Sequence, residues 1–77
     1  MNNPLQFTLK AGDEYIPLMK LLKYMQLVQS GGEARILIDA GEIHLNGQTE
    51  FRKRAKIRSG DVVTWKDIQI HIDSESA

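Results

Sequence analysis

The chain has 77 residues, no cysteine and a formal net charge of zero, which bounds it to one domain and excludes a disulfide scaffold, a thiolate metal site and a cysteine nucleophile. A domain this small buries only about 60% of the surface its unfolded chain exposes, so function is expected on the outer surface rather than in a deep cleft. The hydrophobic and charged fractions, 42% and 26%, are those of a globular domain. Met1-Asn2-Asn3-Pro4 lacks the pattern of a signal peptide and no apolar run approaches the roughly 18 residues needed to cross a bilayer, so a cytoplasmic location is expected.

Leu5, Phe7 and Leu9 alternate with Gln6, Thr8 and Lys10, the period of a strand with one buried face. Gly12-Asp13 closes it. Pro17 then opens a helix, where its missing N–H costs nothing. Leu18, Leu21, Leu22 and Met25 follow at i, i+3, i+4 and i+7 and make one apolar stripe. Leu27-Val28-Gln29 is expected to turn a tight corner. Ser30-Gly31-Gly32-Glu33 reads as a capping box, the Ser30 hydroxyl accepting from the Glu33 N–H and the Glu33 carboxylate accepting from the Ser30 N–H. The second helix is expected to run to about Ala40, with Ala34, Leu37 and Ile38 inward and Gly41 as its left-handed terminator.

Ile43 and Leu45 alternate with Glu42 and His44 as a strand, and Asn46-Gly47 is a strong hairpin signal. The chain returns through residues 48–51 into a basic segment, Arg52 to Arg58. Ser59-Gly60-Asp61 is a turn. Residues 62–65 and 68–72 read as two strands around Lys66-Asp67, and the polar tail from Asp73 to Ala77 is expected to fray. The order is a strand, two short helices, then a small antiparallel sheet: an α+β domain over residues 1–77 with its core in 15–72.

The zero net charge hides an asymmetry. Residues 52–66 carry six basic side chains and one acid, whereas residues 1–51 carry four bases and six acids and residues 67–77 three acids and no base. If the segment 52–58 is extended, Arg52, Arg54, Lys56 and Arg58 share one face as a comb with about 6.5–7 Å between teeth, Ala55 and Ile57 point inward and Lys53 lies at the margin. Such a comb is commensurate with successive phosphates. It is equally readable as a solvated face balanced by Glu42, Glu50 and Asp61. Arg35 lies beside a helix start opened by Gly31-Gly32, where backbone N–H groups and the helix dipole favour a phosphate; the plainer reading is an Arg35–Asp39 pair at i, i+4. Phe51 and Trp65 sit in apolar patterns and are expected in the core rather than stacked on bases. His44 and His71 lack the three or four convergent ligands of a metal site. No acid, base and nucleophile set converges, so neither catalysis nor a cofactor is expected.

The series Leu21-Leu22-Lys23, Leu27 through Arg35, Ile38, Gly41-Glu42-Ile43, Leu45-Asn46-Gly47, Arg52-Lys53-Arg54, Lys56-Ile57 and Gly60-Asp61-Val62-Val63 covers about two-thirds of the chain in collinear order. It resembles the S4 RNA-binding domain, a module found in a small-subunit ribosomal protein, tyrosyl-tRNA synthetases and pseudouridine synthases. The Ser-Gly-Gly-Glu-Ala and Asn-Gly…Arg-Lys-Arg forms are most similar to stand-alone bacterial S4-like proteins of the YbcJ/YaaA kind. The resemblance implies an L-shaped αL fold and one RNA-binding face shared by Ser30, Gly31, Gly32 and Arg35, by Asn46 and Gly47, and by Arg52, Lys53, Arg54, Lys56 and Arg58. Two departures stand out: Tyr15-Ile16-Pro17 replaces the common Arg-Leu-Asp, and Gly31 replaces a common corner Arg. The expected partner is structured RNA, ribosomal or similar, bound by a monomer away from membranes; the alternative is a protein-interaction module, which would use a strand edge or the acidic tail.

Overall fold

The computed structural model describes residues 3–75. In chain order these form β1 (Asn3–Leu9), β2 (Ile16–Pro17), α1 (Leu18–Tyr24), α2 (Gly31–Asp39), β3 (Ile43–Leu45), β4 (Gln48–Thr49), β5 (Lys56–Ile57), β6 (Val62–Trp65) and β7 (Ile68–Ser74). The larger sheet runs β1-β7-β6-β3-β4, and a two-stranded ribbon pairs β2 with β5. All pairings are antiparallel except β1 with β7, so the sheet is mixed where an antiparallel one was expected. β7 also extends to Ser74, with Asp73 and Ser74 opposite Thr8 and Leu9. The Glu75 N–H donates to the Leu9 carbonyl, and Gln6 Nε2 donates to Asp73 Oδ2 at 3.1 Å. The expected fraying therefore does not begin at Asp73, because β1 supplies the strand with a partner; residues 76 and 77 lie outside the described residues.

The helices pack as the apolar stripe requires. Leu18, Leu21 and Leu22 are buried, as are Ala34 and Ile38 of α2, and they close on Ile43, Val63 and Ile70 of the sheet. Met25 and Leu37, also expected inward, are partly buried against this core. Both helices end in the same hydrogen-bond pattern. Gln26 and Leu27 donate to the carbonyls of Lys23 and Leu22, and Gly41 and Glu42 donate to those of Ile38 and Leu37. Each is a Schellman motif, which needs one left-handed residue. Gly41 (φ 76) supplies it for α2, as its sequence position predicts, but Gln26 (φ 61) supplies it for α1. The corner thus begins a residue before Leu27, at a side chain that does not announce it.

At the start of α2 the Ser30 Oγ accepts from the Glu33 N–H at 3.2 Å. The reciprocal half of the box is displaced by one residue: the Glu33 carboxylate accepts from the Gln29 N–H, not from Ser30. Helix α1 has no side-chain cap. Its first two N–H groups, of Leu18 and Met19, donate instead to the carbonyls of Ala55 and Lys53 at 2.9 and 3.0 Å. The basic segment is thereby stitched to the helix start.

Candidate nucleic-acid interface

That stitching decides the shape of the basic segment. Two of its carbonyls are committed to α1, and the Ala55 N–H closes on the Arg52 carbonyl at 3.1 Å. Residues 52–55 are therefore a turn, and only Lys56–Ile57 is extended, paired with Ile16–Pro17. The four-toothed comb of Arg52, Arg54, Lys56 and Arg58 does not form. The apolar anchors hold as expected: Ala55 and Ile57 are buried, so the turn is tethered to the core from below while its cations stay exposed.

The turn brings these cations to helix α2. Arg35, Arg52, Lys53, Arg54, Lys56 and Arg58 line one open basin of ≈ 830 Å³, with Asp39, Phe51 and Ala55 completing its wall. A second hollow of ≈ 230 Å³ adjoins it at the helix start, lined by Met19, Gly31, Gly32, Arg35, Lys53 and Arg54. Six cations on one wall against a single carboxylate produce a concave, strongly positive surface. Such clefts concentrate anions.

The cations are not equivalent. Arg52 donates from Nε to Glu50 Oε2 at 3.1 Å and from a terminal nitrogen to Oε1 at 3.2 Å, and its backbone N–H donates to the same carboxylate at 2.9 Å. The Glu50 side chain is only 12% exposed. The hydrogen bond from the Arg52 guanidinium holds the Glu50 carboxyl below the ordinary glutamate range and holds the Arg52 guanidinium above its own. Arg52 is thus fixed in place and partly neutralised. Arg35 Nε lies 3.9 Å from Asp39 Oδ2, with both side chains more than 60% exposed; a pair that long and that wet contributes at most a few tenths of a kcal/mol. The pair does form, but it leaves Arg35 free to turn to a ligand. The Lys56 ammonium rests over the Tyr15 ring, 5.1 Å from its centroid.

A family model of the S4 domain matches residues 9–73. The chain belongs to the S4 domain family. Among the relatives of this S4 domain are two proteins, each 33% identical over 58 residues that span 75% of this chain and 83% of the relative: the "Putative RNA-binding protein YbcJ" of Escherichia coli (strain K12) and the "Uncharacterized protein YbcJ" of Shigella flexneri. The solution structure of Escherichia coli YbcJ, reported to reveal an alfaL motif involved in RNA-binding, matches with a TM-score of 0.65 and 33% identity over 92% of this chain and 91% of that one. The fold is accordingly a small α+β domain of the αL type, as its sequence implies.

Within this S4 domain the expected site residues divide. Gly31, Gly32 and Arg35 meet Lys53 and Arg54 at the helix start, and Arg52, Lys56 and Arg58 join Arg35 in the larger basin. Ser30 stands beside them, but its hydroxyl is engaged as the cap. A side chain at Gly31 would press on the Met19 methyl at 3.0 Å, whereas one at Gly32 would meet only the Ser30 hydroxyl, at 3.7 Å. The close approach expected at paired glycines is therefore open at Gly32. Asn46 and Gly47 line neither hollow. Asn46 Nδ2 donates to Asp61 Oδ1 at 3.0 Å and its Oδ1 accepts from the Val62 N–H at 2.8 Å, so its side chain is committed to tying the β3–β4 turn to the 59–61 turn.

Two aromatic expectations also divide. Trp65 packs against the core, with Nε1 donating to Glu42 at 3.0 Å. Phe51, expected in the core, is 61% exposed on the basin wall. Its neighbours on either side, Glu50 and Arg52, hydrogen-bond to each other. Among the described residues no group of three or more histidines or carboxylates is placed to hold a metal, and no helix is long and apolar enough to cross a membrane.

Proposed function

We propose that this S4 domain binds structured RNA, a stem, junction or stem–loop of the ribosomal kind, through the start of helix α2 and the basic turn 52–58. One observation carries the reading: a turn rich in cations is sewn to the start of α1 so that it opens onto Arg35 and the glycines of α2 as a single basin. Membership of the S4 family and the similarity to the "Putative RNA-binding protein YbcJ" of Escherichia coli, whose αL motif is described as involved in RNA-binding, point the same way. Cations and backbone donors position a phosphate backbone without reading bases. A-form RNA presents its 2′-hydroxyls and phosphates over a wide, shallow minor groove, which suits an open basin. The selectivity is therefore for shape, with weak sequence preference. The domain acts as a monomer, in the cytoplasm.

Competition among RNA hairpins of equal shape and scrambled sequence, against matched DNA duplexes, tests this. The hairpins should compete alike and the DNA poorly. Lys53→Glu, Arg54→Glu and Lys56→Glu together, which leave the Arg52–Glu50 pair intact, should abolish binding while the exposed turn keeps its fold. Discrimination between scrambled hairpins would mean that bases are read, and equal affinity for DNA would remove the argument from shape. Retained binding in the triple variant would move the site elsewhere.

A further inference from the structure

The geometry points to Phe51 as a stacking platform for an unpaired base, so that the preferred RNA carries a bulged or looped-out nucleotide beside its helix. The inference rests on the RNA-binding reading above and names the kind of RNA that the basin takes. A single exposed apolar side chain is ordinary on a protein surface, so exposure alone assigns nothing. Three further facts do.

The first is partnership. Tyr24 packs edge-on against Phe7 with ring centroids 5.0 Å apart. Tyr15 lies under the Lys56 ammonium and Trp65 under the Lys66 ammonium. Among the Phe, Tyr and Trp rings of the described residues, Phe51 is the one that has neither another ring nor a cation as its partner, although Tyr24 is the more exposed. The second is position. Phe51 shares the basin wall with Arg35, Arg52, Lys53 and Arg54, and it directly precedes Arg52, which Glu50 holds in place. The third is support. The ring lies against Gly41, where an added Cβ would stand 3.5 Å from Phe51 Cε1, so it is backed by the end of helix α2 while remaining 61% exposed.

An unpartnered ring beside one anchored cation, Arg52, and the freer Arg35, Lys53 and Arg54 matches the two parts of a nucleotide. Every base has a π-face, and stacking on an aromatic side chain tolerates any sequence. The neighbouring cations take the phosphates on either side. A base inside a continuous duplex has both faces covered by its neighbours, so along the helix only an unpaired nucleotide can meet the ring, and the helix ends are the same in the two RNAs compared below.

Two RNAs with the same helix, one carrying a single unpaired adenosine and one fully paired, distinguish the possibilities by fluorescence anisotropy at fixed salt. The wild-type domain should prefer the bulged RNA. Phe51→Ala should lose about 5- to 150-fold on that RNA and nothing on the paired one. Phe51→Trp should keep the preference. Phe51→Leu, which retains apolar bulk against Gly41, should behave as Phe51→Ala and provides a folded variant should alanine loosen the turn. Wild type and Phe51→Leu binding the two RNAs alike would overturn the stacking role and leave the RNA-binding reading intact. Equal losses on both RNAs would also overturn it. Binding of neither RNA by the wild type would reject both.

Discussion

At the scale of single residues, Glu50 both anchors and blunts the cation beside it. Its carboxylate is largely covered and accepts three hydrogen bonds from Arg52. The folded-state pKa of Glu50 lies below its ordinary value of 4.5, so the ionised carboxylate favours the folded state. That stability is fully present above pH 4.5 and is lost as pH falls through the lower folded value. Urea denaturation midpoints followed from about pH 6 to pH 3 should therefore fall on the acid side, and Glu50→Gln should flatten part of that fall. An unchanged acid limb in Glu50→Gln would show that the pair contributes nothing to the fold. Arg35 makes the opposite point. Its partner sits at the i, i+4 spacing that sequence alone marks, yet at 3.9 Å and with both ends solvated the contact does not remove Arg35 from the interface.

At the scale of elements, the resemblance implies that the β3–β4 hairpin shares the RNA face, whereas the Asn46 side chain is engaged with Asp61 and the Val62 N–H, which favours a role in the frame. Asn46→Ala removes bonds to Asp61 and to the Val62 N–H and a residue suited to φ 51. It should cost about 1–2 kcal/mol while leaving the affinity of the folded protein for RNA unchanged. Denaturation midpoints and RNA titrations on the same variant check both halves. A stable variant that binds weakly would return Asn46 to the interface.

The hairpin and both helices were legible because their signals are local. A hydroxyl lies three residues from a glutamate, apolar residues recur at helical spacing, and Asn-Gly supplies two left-handed positions. The basic segment departs from the extended comb that its alternation suggests, because its shape is decided elsewhere. The carbonyls of Lys53 and Ala55 bend to meet the N–H groups of Met19 and Leu18, and nothing within residues 52–58 encodes that demand. For the same reason the ribbon of Ile16–Pro17 with Lys56–Ile57 was not anticipated, nor was the parallel pairing of β1 with β7, which joins opposite ends of the chain. The charge clustering that drew attention to the segment survives this change, since a turn gathers cations into a basin as effectively as a strand arrays them on a face. The apolar pattern puts Phe51 in the core, whereas it is exposed, because an apolar residue next to a charged run carries no mark of which side of the backbone it will take.

At the scale of the whole molecule, zero net charge is divided between a basic wall and acidic surroundings. Of the six cations on the basin, Arg52 and Arg35 are shared with carboxylates in the free domain, which leaves four to six to meet phosphates. Each neutralised phosphate steepens the dependence of log K on log salt by roughly 0.7–0.9. An apolar contact with a protein partner carries no such dependence. The most direct test of the account is therefore the affinity of the wild-type domain for one RNA stem–loop, measured across a series of salt concentrations. Phosphate neutralisation by four to six cations requires a linear fall with a slope of about −3 to −5. A flat line would contradict it.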